Sequence, residues 1–170
     1  RGRGTMLFTG ATASLRGAAG FSRTVAIKRL LPQLACNPEF ESLFMHEARL
    51  VARIQHPNVV RVLNFFRANE TVYMVMRYER GRTLQQQIQM RQDQMSERLV
   101  RHVFMHLLNG LREVHTHKLL HLDIKPANIY LRTDGSPVLL DFGAARQTLT
   151  SARPKLAPMY TPGFAAPEQY

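Results

Sequence analysis

Two short polar motifs in the second half of the chain carry side chains suited to the transfer of a phosphoryl group. They are residues 121–128, with the sequence HLDIKPAN, and residues 141–143, with the sequence DFG. Asp123 can accept a proton from an attacking hydroxyl, and Lys125 can lie beside a transferring phosphate. Asn128 and Asp141 offer oxygen ligands, which hard cations such as Mg²⁺ prefer. Because phosphoryl transfer needs positioning and charge neutralisation more than covalent help, these groups predict that reaction.

A β-hairpin is predicted between the two motifs. Residues 129–131 and 138–140 are short apolar runs, and the Asp-Gly pair between them is a turn signal. Folding the second run back on the first places Asn128, just before the first strand, close to Asp141, just after the second. The alternative interpretation is a surface hairpin whose ends are polar and have no role.

A strand that contains a lysine is predicted in the first half of the chain. Residues 25–28 alternate with period 2 and include β-branched side chains, so Ala26 and Lys28 share one face of the strand. A lysine in this position is either an edge residue that opposes aggregation or a ligand for phosphate. The strand by itself favours neither interpretation.

The helix that follows carries a carboxylate that can pair with this lysine. Asn37 is a favourable N-cap, and Pro38 suits the first helical position. The predicted apolar stripe is Phe40, Phe44, Glu47, Val51 and Ile54. Because a buried carboxylate is costly unless it is paired, we predict a Lys28–Glu47 ion pair that holds the ammonium near nucleotide phosphates. The alternative places Glu47 at the solvent-exposed margin of the stripe.

The pattern of the remaining residues predicts a second hairpin, a long helix and a turn. Residues 59–66 and 71–76 form the two strands of the hairpin. Residues 96–117 form a helix, and we expect its apolar stripe in the core. The stripe consists of Val100, Val103, Phe104, Leu107, Leu108, Leu111 and Val114. Residues 10–20, which are rich in small side chains, indicate a flexible turn.

In this order along the chain, the motifs resemble those of eukaryotic-like protein kinases, and most closely those of bacterial serine/threonine kinases. The matching segments are the lysine strand at 25–28, its helix partner Glu47, the catalytic loop at 121–128, the metal-binding motif at 141–143 and the Ala-Pro-Glu end of the activation segment at 161–168. The resemblance implies an α+β, two-lobed fold. Its parts would be a small β-rich N-lobe at 1–76 with an incomplete first strand, a hinge at 77–83 and a partial, mainly helical C-lobe at 84–170.

The resemblance also implies a role for each residue of the site. Asp123 and Lys125 would be catalytic, and Asn128 and Asp141 would bind the metal ion. The implied ATP-binding residues are Gly2, Gly4, Ala26, Lys28, Glu47, Met76, Arg77, Glu79, Asn128 and Asp141. Among these, Met76 would limit the back of the nucleotide pocket, while the hinge would meet adenine through its main chain. The implied activation-segment residues are Thr148, Thr150, Ser151 and Thr161.

The activity implied by the resemblance is that of a protein serine/threonine kinase. Such an enzyme transfers the γ-phosphate of ATP to protein hydroxyls and uses Mg²⁺, or Mn²⁺, as its metal ion. Lys125-Pro126 follows the serine/threonine pattern. The implied partners are ATP and protein substrates, and the implied location of the domain is the cytoplasm. The alternatives are a pseudokinase with little turnover and a small-molecule kinase, which shares H-x-D-x-x-x-x-N but not Lys125-Pro126, DFG and Ala-Pro-Glu.

Two features depart from the family pattern: the Gly-rich loop, which would contact the phosphates of the nucleotide, and the length of the domain. The Gly-rich loop is placed at Gly2 to Gly4, and Leu7 stands where the third glycine belongs. Because glycine lets backbone amides approach phosphates, Leu7 should weaken or reshape this loop. The family's domain continues beyond Glu168, so we expect the chain to be a piece of a longer domain.

A third departure concerns regulation. Leu122 stands where many kinases have an arginine that binds a phosphate on the activation segment. Leucine cannot pair with a phosphate, so we expect activity that depends little on phosphorylation of that segment. We expect packing and a Thr161 hydroxyl near Asp123 and Lys125 to hold the segment instead.

Composition narrows the other classes of function. The chain has 170 residues, a net charge of +11 and 45% hydrophobic residues, which suits one globular domain. Its basic residues are scattered without a long run, so we expect a preference for anionic ligands such as ATP and no nucleic-acid function. No apolar run is long enough to span a bilayer. The one cysteine, Cys36, excludes an internal disulfide and fits a reducing compartment.

Overall fold

The computed structural model describes residues 8–16, 20–92, 94–142, 146–147 and 161–169. These residues divide into two compact units. The first extends to Gln55 and includes Arg61–Glu79, and the second comprises His56–Val60 and the chain from Arg80 onwards. An antiparallel sheet with one main helix in the first unit, and helices with short strands in the second, confirm the predicted α+β class.

The first unit is built on a four-stranded antiparallel sheet. Its elements are β1 (Phe8–Arg16), β2 (Ser22–Leu30), α1 (Pro32–Ala35), α2 (Pro38–Ala52), β3 (Val62–Ala68) and β4 (Thr71–Arg77). The strands are ordered β1-β2-β4-β3, so the lysine strand β2 is central and its backbone is paired on both sides. Strands β3 and β4 form the predicted hairpin. Its loop residues Asn69 and Glu70 both have positive φ, 47° and 57°, as a tight hairpin loop requires.

Residues 10–16 form a strand, and the prediction of a flexible turn over 10–20 is wrong for them. Strand β1 pairs with β2 without a break from Phe8 opposite Leu30 to Arg16 opposite Ser22. Small side chains have low β-propensity, but pairing with β2 satisfies the backbone groups on the inner side of this edge strand. The sheet therefore fixes a segment that local sequence does not.

Helix α2 covers one face of the sheet. The Asn37 side chain accepts a hydrogen bond from the Glu39 N–H at 2.9 Å, and Pro38 opens the helix, so the predicted start is confirmed. The core beneath the helix contains Leu30, Ala35, Phe44, Ala48, Val72 and Met74. Burial of these side chains holds α2 against β2 and β4 and fixes the rotation of the helix about its axis.

The second unit combines two helices with short strands. Its elements are β5 (Gly81–Thr83), α3 (Leu84–Met90), α4 (Glu97–Thr116), β6 (Leu119–Leu120), β7 (Ile129–Arg132), β8 (Pro137–Leu139) and β9 (Arg146–Gln147). Side chains cap both helices: Thr83 accepts from Gln86 N–H in a capping box, and Ser96 accepts from Leu99 N–H. None of the helices in these described residues combines the length and apolar character needed to cross a membrane.

Strands β7 and β8 form the predicted hairpin between the two polar motifs. Ile129 lies opposite Leu139, and Leu131 lies opposite Pro137. In the turn, Ser136 donates to Asp134 Oδ1 through its hydroxyl at 2.7 Å and its N–H at 2.9 Å. Both bonds lower the pKa of the Asp134 carboxyl, and the bond from the Ser136 hydroxyl has the larger effect. On the other edge of β7, Gly81 of β5 lies so close that a Cβ there would collide with the Leu131 carbonyl.

The beginning of the predicted 59–66 strand belongs to the second unit. Strand β3 begins only at Val62, whereas Val59 forms a parallel bridge with Leu139. The Val60 N–H donates to the Leu139 carbonyl at 2.9 Å, and the Leu139 N–H donates to the Asn58 carbonyl at 2.8 Å. These bonds satisfy β8 on the side away from β7. They explain why an apolar run that looks continuous is divided between two units.

Only part of the predicted stripe of α4 is buried. Val103, Leu107 and Val114 are buried together with Gly110, at spacings of four, three and four. The predicted core positions Val100, Phe104 and Leu108 are exposed, by 37%, 51% and 59%. The prediction is wrong for these three residues because the helix contacts β6 and β8 along one narrow face.

The segment predicted as a hinge, residues 77–83, contains strand residues at both ends. Arg77 ends β4, and Gly81 begins β5, so residues 78–80 alone lie outside strands. Glu79 is the last residue of the first unit, and Arg80 is the first residue of this part of the second.

Candidate active site

A buried ion pair joins the lysine strand to the main helix of the first unit. Lys28 Nζ donates to Glu47 Oε1 at 2.9 Å and to Glu47 Oε2 at 3.1 Å. The two side chains are only 11% and 7% exposed, and the centroid of the Phe44 ring lies 5.9 Å from Nζ. Because a buried charge is costly unless it is paired, each partner stabilises the other in place. The predicted pair is confirmed, and the solvent-exposed alternative for Glu47 is wrong.

Two further residues expected to meet the nucleotide lie beside Lys28 in the sheet. Ala26 of β2 is directly opposite Met76 of β4. Opposite residues share a face of a sheet, and alternate residues of a strand do so as well. Ala26, Lys28 and Met76 therefore lie on one face, as the alternation of residues 25–28 predicts for Ala26 and Lys28.

Arg77, the first residue after Met76, already uses its main-chain N–H in a hydrogen bond within the first unit. The Arg77 N–H donates to the Arg61 carbonyl at 2.9 Å, so an adenine contact from Arg77 would use its carbonyl. The side chains of Arg77 and Glu79 face each other, with Arg77 Nε 3.7 Å from Glu79 Oε1. This partly exposed pair contributes little stability.

Asp123 is the centre of the hydrogen-bond network in the second unit. Its Oδ1 accepts from Thr161 Oγ1 at 2.6 Å, and its Oδ2 accepts from Asn128 Nδ2 at 2.9 Å. Lys125 Nζ lies 2.8 Å from Asp123 Oδ2 and donates to Thr161 Oγ1 at 2.6 Å. The predicted proximity of Thr161 to Asp123 and Lys125 is confirmed. The carboxylate is thus fixed in orientation, as a positioned general base must be.

Asn128 and Asp141 lie at one end of the β7–β8 hairpin, as predicted. The Leu140 N–H donates to the Asn128 carbonyl at 2.8 Å, and Asp141 is the next residue. Asn128 Nδ2 donates to the carbonyl and the carboxylate of Asp123, at 2.8 Å and 2.9 Å. The amide oxygen of Asn128 takes no part in these two bonds and is the atom that can ligate a cation.

The donor set of these two residues fits a hard divalent cation. An amide oxygen and a carboxylate oxygen suit Mg²⁺, whose remaining ligands are commonly water and phosphate oxygens. Within the described ranges, no group of three or more His, Cys, Asp or Glu side chains is placed to hold a metal ion. A cation held by Asn128 and Asp141 would therefore complete its coordination with the phosphates of a nucleotide or with water.

His121 connects the loop of Asp123 to the residues around Asp141. The ring is 2% exposed, its Nε2 lies 2.8 Å from the Leu140 carbonyl, and its Nδ1 accepts from the Asp123 N–H at 3.3 Å. These bonds assign a neutral tautomer that carries its proton on Nε2. The ring also meets Phe142 edge-on, with centroids 4.6 Å apart. His121 therefore packs and orients the loop and does not itself offer a reactive atom.

Two residues beside the reactive groups have a left-handed backbone. Leu122 has φ 62° and Asp141 has φ 55°, a conformation that costs energy in a residue other than glycine. At Leu122 the strained peptide is held by Gln169, whose Nε2 donates to the Leu122 carbonyl at 2.8 Å. The Ala166 N–H in turn donates to Gln169 Oε1 at 3.0 Å. The backbone that leads into Asp123 is therefore fixed by a side chain from the end of the described chain.

Sequence reasoning missed Gln169. The residue lies 47 positions from Leu122, and no local pattern links them. The only signal is its place directly after the Ala-Pro-Glu triplet, at the end of a 3-10 turn, Pro167–Gln169.

Several expected site residues lie outside the described ranges. They are Gly2, Gly4, Leu7, Gly143, Thr148, Thr150 and Ser151. The placement of the Gly-rich loop and of the phosphorylation sites therefore stays a prediction from the sequence.

Comparison with known proteins identifies the class to which this fold and site belong. The family model "Protein kinase domain" matches residues 9–169, which is nearly the whole chain. The chain belongs to the eukaryotic-like protein kinase family.

Individual relatives agree with this class. "Serine/threonine-protein kinase B" of Synechocystis is 34% identical over 93% of this chain and 32% of its own length. "Tyrosine-protein kinase MasK" of Myxococcus xanthus is 34% identical over 79% of this chain and 22% of its own. The solved structure "PpkA-294 apo form" is 30% identical and matches with a TM-score of 0.66, over 71% of this chain and 50% of that one. The chain thus spans a third or less of these two curated relatives.

Proposed function

We propose that the protein transfers the γ-phosphate of ATP to serine and threonine hydroxyls of proteins. The observation that supports this most is the network around Asp123, in which three side chains hold one carboxylate (Lys125, Asn128 and Thr161). Membership of the protein kinase family implies ATP and a divalent metal ion in general terms. The roles proposed below for individual residues are supported by their contacts in this chain.

Asp123 is the proposed general base. A carboxylate can accept more than three hydrogen bonds, so a substrate hydroxyl can join the groups that already contact it. Proton acceptance from this hydroxyl makes its oxygen a better nucleophile towards the γ-phosphorus. Lys125 contributes a positive charge 2.8 Å from Asp123 Oδ2, close to where negative charge develops on the transferred phosphoryl group.

Lys28 is the proposed phosphate ligand of the first unit. Glu47 fixes its ammonium with two hydrogen bonds, so the charge does not have to be ordered when the nucleotide binds. On the same face of the sheet, Ala26 and Met76 would contact adenine. The Arg77 carbonyl and the Glu79 main chain would bind the edge of the base.

Mg²⁺ is the proposed metal ion, with Asn128 and Asp141 as its protein ligands, and Mn²⁺ is the alternative. The cation would neutralise charge on the phosphates of ATP. Both donors are oxygens, which favours these hard cations over Zn²⁺ or Cu²⁺. For the cellular location we propose the cytoplasm, where ATP is available and a single free thiol such as Cys36 stays reduced.

The names of the relatives differ in the type of residue that accepts the phosphoryl group. Lys125-Pro126 favours serine and threonine, whereas one relative is named a tyrosine kinase. The test is phosphoamino-acid analysis of a mixed protein substrate labelled by the full-length enzyme. Label on serine and threonine supports the proposal. Label confined to tyrosine, or label only on small molecules, would refute it.

A pseudokinase is the second candidate, because Leu7 replaces a glycine that would approach the phosphates. The two candidates differ in turnover and not in nucleotide binding. A Leu7→Gly variant separates them: an active enzyme gains ATP affinity and retains transfer, whereas a pseudokinase binds ATP and still transfers nothing.

Gln169 gives a prediction about positioning. We expect Gln169→Leu to lower kcat by about five- to tenfold, the worth of one hydrogen bond, because the strained peptide before Asp123 loses its donor. The KM for ATP should stay unchanged. Gln94→Leu, a change at an exposed loop position, is the matched control. If Gln169→Leu lowers the unfolding temperature but leaves kcat at the control value, the residue has a purely structural role.

Leu122 gives a prediction about regulation. We expect replacement of Thr148, Thr150 and Ser151 together by alanine to leave activity within about twofold, because Leu122 offers no charge that could read a phosphate on this segment. Thr161→Ala is the contrasting variant and should lower activity about tenfold, since it removes the bonds to Asp123 and Lys125. The measurement is peptide phosphorylation by the full-length enzyme. Loss of activity in the triple variant, with restoration by phosphorylation in the unmutated protein, contradicts the account.

A further inference from the structure

The second unit contains a pocket that has no role in the proposed phosphoryl transfer itself. It has a volume of about 280 Å³, and apolar atoms of four side chains line much of it. These are Ile88, Pro126, Ala127 and Phe164. Gln85, Gln89 and Lys125 complete the wall. Gln85, Ile88 and Gln89 lie on one face of α3 because they are three and four positions apart.

The pocket lies next to the reactive carboxylate. Lys125 belongs to both places, because its side chain lines the pocket while its ammonium contacts Asp123 and Thr161. An acceptor hydroxyl that reaches Asp123 therefore brings the rest of its peptide past this pocket. An extended peptide advances about 3.3–3.6 Å per residue, so the side chain two or three positions from the acceptor can enter.

The lining determines what kind of side chain can enter. Among the described residues that line the pocket, none carries a carboxylate. The positive charge of Lys125 is already paired with Asp123, so the pocket offers a counterion to neither a cation nor an anion. Burial of an unpaired charge is costly, whereas burial of apolar atoms against Ile88 and the 57% exposed Phe164 is favourable.

We propose that this pocket selects protein substrates with an apolar side chain two or three positions from the phosphorylated hydroxyl, and rejects lysine and arginine there. The proposal deepens the proposed kinase function and rests on it. The enzyme is accordingly selective for an uncharged side chain at that position.

The test is a positional-scanning peptide library phosphorylated by the full-length enzyme. We expect one position, two or three residues from the acceptor, to favour leucine or methionine over arginine by about tenfold or more. Gln89→Glu places a carboxylate in the wall and should reverse the order at that same position, since a charge-assisted hydrogen bond then becomes available to arginine. Gln94→Glu adds the same charge at an exposed loop position outside the pocket and should leave the order unchanged.

A second variant tests the contribution of the pocket without a change of charge. Ile88→Ala should raise the KM for the preferred apolar peptide and leave the KM for the same peptide with glycine at that position unchanged. Transfer without any preference near the acceptor, or a preference for arginine in the unmutated enzyme, overturns the pocket proposal and leaves the kinase function intact. A shift with Gln94→Glu equal to that with Gln89→Glu also overturns it, because the effect is then one of general charge. Absence of transfer to any peptide or protein overturns the proposed function as well.

Discussion

Replacement of Asp123 by alanine is expected to lower the turnover number by roughly 10²–10⁴-fold, the usual contribution of a positioned general base. The reason is that Thr161, Lys125 and Asn128 all hold this carboxylate in one orientation. Affinity for ATP should be largely retained. The measurement is steady-state transfer to a protein substrate, with nucleotide affinity determined separately by calorimetry.

Two controls accompany this prediction. Asp123→Asn keeps the shape of the side chain and removes the base, so it should match alanine in turnover even if alanine disturbs the loop. Asp134→Ala makes the same substitution in an exposed turn of the same unit and should have little effect. An Asp123 variant that binds ATP and keeps wild-type turnover, under conditions where chemistry limits the rate, shows that the base is elsewhere.

Lys28 and Glu47 are expected to act as one unit in ATP-dependent turnover. Lys28→Met leaves a buried carboxylate without this cation, and Glu47→Gln leaves a buried ammonium without this anion, so each single change should be severe. The double variant should lose much less than the two single losses combined. We expect a coupling free energy of about 1–3 kcal/mol, the upper range for residues in contact.

An exposed ion pair in the same unit provides the matched control. Arg67 Nη2 lies 2.7 Å from Glu41 Oε2, but the Arg67 side chain is 66% exposed. The corresponding variants Arg67→Met and Glu41→Gln should be nearly neutral and additive in turnover. Additive losses at Lys28 and Glu47 would remove the argument that the pair acts together.

The chemistry-bearing parts of the structure could be predicted because their signals lie between residues that are close in the sequence. Glu47 interrupts an apolar helical stripe, and only a buried cation makes that position tolerable. The Asp-Gly turn fixes the hairpin register, and with it the closeness of Asn128 to Asp141. In both cases the prediction needs only residues that are close together in the sequence.

The parts that escaped prediction depend on residues far away in the sequence. Strand β1 is a strand only because β2 pairs with it, since its small side chains have no strong preference for that conformation. Val59 belongs to the second unit because of its bridge to Leu139. Phe104 and Leu108 are as apolar as Leu107, and only the position of the neighbouring strands decides which of them is buried.

Transfer of ³²P from γ-labelled ATP tests the central claim most directly. The full-length protein and its Asp123→Asn variant are incubated in parallel with a generic protein substrate and Mg²⁺, and nucleotide binding is confirmed for both. We predict label on serine and threonine of the substrate with the unmutated protein, and at least about 100-fold less with the variant. If both proteins bind the nucleotide and the unmutated protein transfers no more label than the variant, the assignment as an active kinase is contradicted. That result would support a pseudokinase.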